Sequence, residues 1–326
     1  MQYTTLGATG LKVSVAGLGC GGNSRIGLGT GKTEAQSIDL VRAALDLGVT
    51  YFDTASLYGT EPILGRAIRP GERARTVIST KAHIHTSARE GIGVLPAVDV
   101  VASLERSLRN LNTDYVDVFM LHGVAPAALD RARAEIVPAL LAEKAKGKLR
   151  HLGITETAAR DADHLMLDRA LEDPCWEVIM LAFHLMHQNA KSVVFPRSRA
   201  QGVGTLLMFV VRNIFSRPEA LAAAMRELAV SGKIPAELGR QSDPLQFLVH
   251  PGGAESLIDA AYRFARHEPG VDVVLFGTSS ISHLQANVAS LLRPPLPAPD
   301  RDRLNELFGH LVGVGLDLPD YIKPRA

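Results

Sequence analysis

Short apolar runs rich in β-branched residues alternate with longer segments of helical periodicity along most of the chain. The apolar runs, which predict strands, cover residues 13–19, 50–53, 76–80, 115–121, 149–154, 177–183, 202–211 and 271–276. The helical segments cover residues 33–47, 98–111, 129–146, 158–171, 254–267 and 282–292, with a long irregular stretch before residue 254. Because strands that alternate with helices form a parallel sheet covered by helices, this pattern predicts an α/β protein.

Two α/β folds fit this alternation, a closed (β/α)8 TIM barrel and an open, doubly wound sheet. Seven βα units, or eight counting the first strand, over roughly 280 residues favour the barrel. An open dinucleotide-binding sheet would carry Gly-x-Gly-x-x-Gly at the start of its first helix, and Gly27, Gly29 and Gly31 lack that spacing. No internal repeat or linker interrupts the chain. We therefore expect one barrel domain over residues 1–326, with extra loops and a C-terminal tail from Pro294.

Composition and charge narrow the classes of function. The 326 residues are 46% hydrophobic and 21% charged, which is an ordinary globular balance. The 35 Lys and Arg nearly equal the 34 Asp and Glu, and a formal net charge of +1 argues against binding to nucleic acid or to an anionic membrane.

Location is the next expectation. The longest apolar stretch, around residues 203–211, is far shorter than the roughly 20 residues that span a bilayer. The N-terminal segment does not resemble a signal peptide, and the two cysteines, Cys20 and Cys175, fit reduced thiols. We expect a soluble, cytoplasmic protein, and the sequence does not indicate its oligomeric state.

Ionisable residues end three successive predicted strands. Asp53 ends the second strand, Lys81 the third and His122 the fourth, and Tyr58 lies five residues after Asp53 in the following loop. Alone, each is more typical of a structural residue than of a catalyst. In a barrel, however, the carboxyl ends of the strands meet at one mouth, where active sites lie. The ordered set of four therefore predicts a catalytic site.

The chemistry of these four residue types favours carbonyl reduction. The reference pKa of tyrosine, about 10, is too high for easy proton transfer near neutrality, and a neighbouring ammonium favours the phenolate. Lys81 can supply that ammonium, Asp53 can hold it in place, and His122 can hydrogen-bond a substrate oxygen. None of them supplies a hydride, so the reaction needs a nicotinamide cofactor. A Schiff-base aldolase that uses Lys81 is a weaker alternative, given Asp53 and Tyr58 beside it.

At these residues the sequence resembles the aldo-keto reductase superfamily. The similar segments are FDTASLYG at 52–59, LGRAI at 64–68, STK at 79–81, LNTDYVDVFMLHG at 111–123, KGKLRHLGIT at 146–155 and GTSSISHLQAN at 277–287. The resemblance implies a (β/α)8 barrel that interconverts carbonyls and alcohols with NADP(H), or less often NAD(H). It also implies that Tyr58 is the general acid/base, that Lys81 and Asp53 tune it, and that His122 orients the carbonyl.

The resemblance also implies cofactor contacts, and those near the nicotinamide are altered. Thr155 and Glu156 stand where the family usually has Ser-Asn for the carboxamide, and Met180 stands where it commonly has Gln. Residues 208–215 replace the loop that covers the pyrophosphate, and Arg212 within them is a candidate phosphate ligand.

The adenosine end stays closer to the family pattern. Asn287 matches the adenine-contacting Asn, and His283 stands where an Arg often binds a 2′-phosphate. We expect NADP(H) to be favoured, with NAD(H) as the alternative. The cofactor contacts predicted from the resemblance are Gly19, Cys20, Gly21, Asp53, Thr155, Glu156, Met180, Phe183, Met208, Val211, Arg212, Gly277, Thr278, Ser279, His283 and Asn287.

The expected substrate is a small-molecule carbonyl or alcohol. The candidate residues of the substrate pocket are Asn23, Ile26, Leu57, Tyr58, His122, Val124 and Met208. His83 and His85 have no cysteine or carboxylate set beside them, so we expect no metal site. The altered carboxamide residues leave a second hypothesis, a catalytically weakened, nucleotide-binding regulatory or interaction protein on the same barrel.

Overall fold

Eight parallel strands close into a barrel in the computed structural model, which describes residues 1–86 and 93–317. The barrel strands are β3 (Ala16–Gly19), β4 (Tyr51–Asp53), β5 (Val77–His83), β6 (Val116–His122), β7 (Leu149–Thr155), β8 (Val178–Ala182), β9 (Gly204–Met208) and β10 (Val273–Phe276). Strand β10 pairs with both β9 and β3, which completes the ring. An antiparallel hairpin of β1 (Tyr3–Thr5) and β2 (Lys12–Ser14) precedes it. The predicted (β/α)8 fold is confirmed.

Helices surround the barrel. The α-helices are α1 (Glu34–Asp46), α2 (Glu61–Ala67), α3 (Pro70–Arg73), α4 (Ala97–Leu111), α5 (Leu129–Arg131), α6 (Val137–Ala145), α7 (Leu165–Ala170), α8 (Ala190–Val193), α9 (Phe195–Gln201), α10 (Asn213–Ser216), α11 (Pro218–Val230), α12 (Leu257–Arg266), α13 (Ile281–Leu292) and α14 (Ala298–Phe308). Shorter 3₁₀ or π turns cover Arg25–Thr30, Pro126–Ala128, Ala132–Ile136, Leu238–Arg240 and Gln246–Leu248. The expected C-terminal tail contains α14, and the part of that tail after Asp317 lies outside the described residues.

Strand pleating decides which side chains reach the barrel mouth. Successive side chains of a strand point to opposite faces, so alternate residues point into the barrel. Tyr51, Met120 and Met180 belong to a buried cluster inside it, while a larger core packs the outer strand faces against the helices. Asp53 and His122 lie two residues after Tyr51 and Met120, so both share the inward face at the carboxyl end of the barrel.

Three predicted strands differ most from their expected bounds, while the others shift by one or two residues at an end. The first run splits at Val15, because the Ser14 hydroxyl bonds to the Ala16 carbonyl and leaves β2 in the hairpin. Strand β5 continues to His83, so Lys81 lies inside this strand rather than at its end. The run 202–211 forms only β9, and Phe209 directly after it has a left-handed φ of 66°.

Three helical predictions are also corrected. The segment 158–171 is helical only from Leu165, because the Asp161 carboxylate accepts the N–H groups of Leu165 and Met166 and so caps the helix at that point. The stretch expected to be irregular contains α11, whose apolar face was missed. The predicted helix 129–146 is broken by a π turn between α5 and α6. Within the described ranges, no helix combines the length and the apolar character that a membrane crossing requires.

Candidate active site

A cavity of about 730 Å³ opens at the carboxyl ends of the strands. Its wall includes Asp53, Tyr58 and His122, so the structure brings together the residues that the strand-end pattern singled out. Another cavity, of about 490 Å³, lies near Trp176 and Gly202 and holds none of them. The larger cavity is therefore the candidate active site.

A buried ion pair forms the base of this site. The Lys81 Nζ atom lies 2.7 Å from each carboxylate oxygen of Asp53 and 2.7 Å from the Thr54 carbonyl oxygen. The Ser79 hydroxyl donates to the same carboxylate at 2.7 Å. Lys81 is fully buried and does not belong to the cavity wall. A Schiff base at Lys81 would require this ammonium to leave Asp53, which argues against the aldolase alternative.

Tyr58 lies above this ion pair on a firmly held loop. The Ser56 N–H and hydroxyl both donate to the Lys81 carbonyl oxygen, at 3.2 and 3.1 Å, and tie the loop to β5. The Lys81 Nζ atom lies 5.2 Å from the centroid of the Tyr58 ring. The Tyr58 hydroxyl lies 3.3 Å from the His122 Nε2 atom, with the two rings edge to face. The four predicted catalytic residues therefore form one connected group.

His122 is held in its neutral form. Burial, the charge on Lys81 and the nearby His83 together lower the pKa of His122 from 6.5 to about 3. A neutral imidazole has one N–H donor and one acceptor nitrogen. With the proton on Nε2, His122 can donate to an oxygen placed between itself and Tyr58.

Thr155 and Glu156 are engaged within the protein. The Thr155 hydroxyl accepts the Gly123 N–H at 2.8 Å. The Glu156 carboxylate accepts the Ala182 N–H at 2.8 Å and lies 2.7 Å from the His164 Nδ1 atom. Burial raises the pKa of Glu156, against the opposing effect of His164. Although Glu156 borders the cavity, its carboxylate is turned to these two partners.

Arg212 borders the cavity just after β9 and is paired with the C-terminal strap, which we define as residues 313–317. Its Nη2 and Nε atoms lie 2.9 and 3.3 Å from the Asp317 carboxylate, and it also bonds to the Asp317 carbonyl oxygen. The Asn213 amide donates to the same carboxylate at 3.0 Å. The guanidinium also lies over the Phe209 ring, 4.3 Å from its centroid. The Arg212 guanidinium, predicted to bind phosphate, is therefore already paired with the Asp317 carboxylate.

The predicted adenosine end begins where β10 leads into α13. Gly277, Thr278, His283 and Asn287 all border the cavity. Ser280 caps α13 by accepting the His283 N–H, and the Thr278 hydroxyl accepts the Ser280 N–H. The positive end of a twelve-residue helix thus faces the cavity, which suits a phosphate group.

The cavity suits a nicotinamide dinucleotide in part. It joins the Tyr58–His122 pair at one side to the first turn of α13 at another, and Arg212 is the only Lys or Arg among its described wall residues. Gly19, Gly21, Asp53, Thr155, Glu156, Met180, Met208 and Val211 also border it. These groups can hold a dinucleotide, with its phosphates near Arg212 and α13.

Several predicted contacts lie elsewhere, which corrects their expected placement. Cys20, Ile26, Val124 and Phe183 are buried in the outer core and do not belong to the cavity wall. Burial raises the pKa of the Cys20 thiol, so this group is a poor nucleophile. Leu57 is 58% exposed, outside the cavity wall. Ser279 is also absent from that wall, whereas Asn23 belongs to it.

The prediction missed other wall residues. They are Gly22, Ser24, Thr157, Ala158, Ser216, Ser256, Ile258, Tyr262, Leu275, Phe276 and Ser290. Five further wall residues adjoin predicted ones: Phe209, Val210 and Asn213 lie in the segment 208–215, and Gly123 and Ala286 flank His122 and Asn287. Most follow a strand end or flank a predicted residue, so extending the strand-end rule by a few positions would have found them. Ser256, Ile258 and Tyr262, at the start of α12, carry no comparable signal.

Comparisons with known proteins agree with this geometry. A model of the aldo/keto reductase family matches residues 17–308. Aldo-keto reductase YhdN from Bacillus subtilis (strain 168) is 25% identical over an alignment of 359 positions, gaps included, which covers 99% of this chain and 98% of that protein. L-galactose dehydrogenase from Arabidopsis thaliana is 27% identical over an alignment of 324 positions, which covers 96% of this chain and 95% of that protein. The holo form of aldo-keto reductase AKR11C1 from Bacillus halodurans superposes with a TM-score of 0.70 at 23% identity, over 94% of this chain and 96% of that one, which supports the barrel fold.

Proposed function

Because the chain belongs to the aldo/keto reductase family of NAD(P)H-dependent oxidoreductases, we propose that it interconverts an aldehyde or ketone and an alcohol, with Tyr58 as the general acid/base. One observation carries this proposal. The Tyr58 hydroxyl and the His122 Nε2 atom lie 3.3 Å apart at the cavity wall, beside the buried Asp53–Lys81 ion pair.

Each of the four residues has a role in moving one proton. In the direction of reduction, Tyr58 gives its hydroxyl proton to the carbonyl oxygen as negative charge develops there. The Lys81 ammonium favours the phenolate that remains, because opposite charges attract strongly in a buried site. Asp53 holds the Lys81 side chain in place, with both carboxylate oxygens 2.7 Å from Nζ. In the direction of oxidation, the phenolate takes the alcohol proton back.

His122 orients the substrate. As a neutral Nε2–H donor it binds the carbonyl oxygen next to the Tyr58 hydroxyl, so two donors converge on one oxygen. An imidazolium there would repel the nearby Lys81, and the lowered pKa of His122 keeps it neutral in the physiological range.

The cofactor supplies the hydride, and NADP(H) is our proposed choice. Arg212 and the first turn of α13 would hold the phosphates, while Thr278 and His283 would lie at the 2′ position. Since His283 replaces a permanently charged Arg, NAD(H) is the alternative. Comparing the dissociation constants of NADPH and NADH in wild type and His283→Ala decides between them.

A small aldehyde, ketone or alcohol is the proposed substrate, which includes the sugar alcohols and aldoses. Asn23 and Ser24 give one wall hydrogen-bonding capacity, whereas Met208 and Phe209 make another wall apolar. We further propose one domain over residues 1–326, and a reducing, cytoplasmic location that fits the free thiols of Cys20 and Cys175.

The first prediction concerns the Tyr58 hydroxyl. We expect Tyr58→Phe to lower kcat/KM on the order of 10²- to 10⁴-fold, because it removes the proton donor but keeps the ring. The measurement is the loss of NADPH and NADH absorbance with a broad panel of aldehydes and ketones. Tyr3→Phe is the matched control, since it removes another hydroxyl far from the cavity and should leave turnover unchanged. Full activity of Tyr58→Phe, or no turnover by wild type on the whole panel, would contradict the proposal.

A nucleotide-binding regulatory protein is the second candidate function. Two observations favour it: Asp317 pairs with Arg212, and His164 engages the Glu156 carboxylate. Both contacts take polar groups that a cofactor could otherwise use. Tight binding of NADPH without turnover on any carbonyl would favour this candidate over the reductase.

A further inference from the structure

The backbone at Gly123, directly after His122, is held in an unusual conformation by three side chains. Gly123 has a left-handed φ of 63°. Its N–H donates to the Thr155 hydroxyl at 2.8 Å. Its carbonyl oxygen lies 3.0 Å from the His85 Nε2 atom and accepts the Thr157 hydroxyl at 3.1 Å. Both polar groups of this peptide position are therefore fixed from β7 and from the segment that follows β5.

The contact with His85 defines the state of its ring. A carbonyl oxygen accepts only, so the His85 Nε2 atom must carry the proton. Among residues 1–86 and 93–317, none offers a hydrogen-bond partner to the buried His85 Nδ1 atom. The His83 ring lies edge-on to His85, 5.3 Å away, and limits its rotation.

We propose that His85 is a positioning residue for His122, a role that rests on the proposed reductase function. By donating to the Gly123 carbonyl together with Thr157, it holds the left-handed turn that ends β6. That turn sets the direction in which the His122 side chain leaves the strand. His85 does not border the cavity, so it acts through the backbone and not on the substrate.

The placement of His122 depends on this turn for a geometric reason. His122 is the last residue of β6. Its pairing with His83 of β5 restrains its backbone, but the strand provides no further pairing for the residues after it. The Gly123 peptide is the next restraint along the chain. The His122 Nε2 atom must meet a substrate oxygen that it shares with the Tyr58 hydroxyl. A displacement near 1 Å in such an arrangement costs on the order of 10²-fold in rate.

Two variants at His85 test this role. His85→Leu keeps a side chain of similar size but removes the N–H donor. In His85→Gln, the side-chain amide can donate to the Gly123 carbonyl in place of Nε2. We expect His85→Leu to lower kcat about 10- to 100-fold, with the dissociation constant of NADPH unchanged. His85→Gln should recover most of the loss. Thr157→Val, which removes the second donor, should show a smaller loss of the same kind.

A matched control and an independent measurement complete the experiment. His267→Leu removes another histidine-to-carbonyl bond, of 2.8 Å to Arg293, away from the cavity. It should change thermal stability but not kcat. In histidine- and tyrosine-labelled protein, NMR contacts between the rings of His122 and Tyr58 should weaken in His85→Leu and persist in His85→Gln.

Three results would overturn the role of His85. They are wild-type kcat in His85→Leu, an equal loss in His85→Gln, and unchanged ring contacts in His85→Leu. If wild type turns over no carbonyl, the proposed function fails instead. The NMR contacts then decide the positioning role alone.

Discussion

A missing side chain at Gly21 makes room for the Tyr58 ring. A Cβ atom at this position would lie 2.4 Å from the Tyr58 Cε2 atom and 2.6 Å from Cζ, the carbon that bears the hydroxyl. A side chain added at Gly21 would therefore force the Tyr58 ring to move. The polar end of Tyr58 is therefore placed by van der Waals contact with the β3 loop as well as by His122. Gly21 borders the cavity, but the structure also gives it this steric task.

Alanine at Gly21 should displace the phenol from its partner. We expect Gly21→Ala to lower kcat on the order of 10²-fold with a small change in melting temperature, because Gly21 is not left-handed and alanine adds no backbone strain there. Gly71→Ala is the matched control, since a Cβ atom there meets nothing within 4 Å. Steady-state kinetics of both variants measure the effect. Unchanged kcat in Gly21→Ala would show that the Tyr58 ring has room to spare.

At the residue scale, the sequence predicted the polar residues better than the apolar ones. Asp53, Lys81 and His122 were found because ionisable residues near strand ends stand out in apolar runs. Ile26 and Val124 were misplaced, because their direction depends on loop conformations that no periodicity reveals. The pairing of Glu156 with His164 was missed for a similar reason: the left-handed φ of 58° at His164 itself and the cap by Asp161 just before it turn the chain back.

At the scale of elements, the loop after β9 and the C-terminal strap form one unit. Leu316 is buried against Ala158 and Ala182, and the Gly313 N–H bonds to the His187 ring. These contacts bring Asp317 to Arg212. The apolar run 202–211 predicted the strand but not this docking, since the partners are about a hundred residues apart. The missed helix α11, by contrast, carries a readable pattern in Leu221, Met225 and Leu228.

The strap should compete with the cofactor for Arg212. Removing the Asp317 charge frees the guanidinium and removes repulsion of the pyrophosphate. We expect Asp317→Asn to bind NADPH about fivefold more tightly at low salt, or about 1 kcal/mol, with a smaller gain at high salt. Asp302→Asn, on α14, makes the same charge change elsewhere and should have no effect. Fluorescence titration at two salt concentrations measures both, and weaker binding in Asp317→Asn would mean that Asp317 orients Arg212 for the cofactor.

At the scale of the whole molecule, buried neutral histidines link the stability of the barrel to pH. His184 and His187 are both fully buried between β8 and the strap. Burial, with the charge of His164 nearby, lowers the pKa of His187 from 6.5 to about 3. Burial, with His187 and Arg212, lowers the pKa of His184 well below its usual range. The net charge near zero gave no sign of this, because it counts histidine as neutral in the folded and unfolded chain alike.

The sign of the pH effect follows from these lowered pKa values. Below about pH 6.5 the unfolded chain takes up a proton at His187 that the folded protein refuses until about pH 3, so stability falls as the pH falls through this window. Between pH 7 and 5 the contribution of His187 is about 2 kcal/mol. His187→Asn removes the titrating ring, while its amide oxygen can still accept the Gly313 N–H. The variant should be less stable at pH 7, because it leaves a cavity, but should lose about 2 kcal/mol less than wild type on going to pH 5. Urea unfolding at both pH values measures the difference. The Glu156–His164 pair is present in both proteins, so an equal loss in both would assign the pH dependence to groups other than His187.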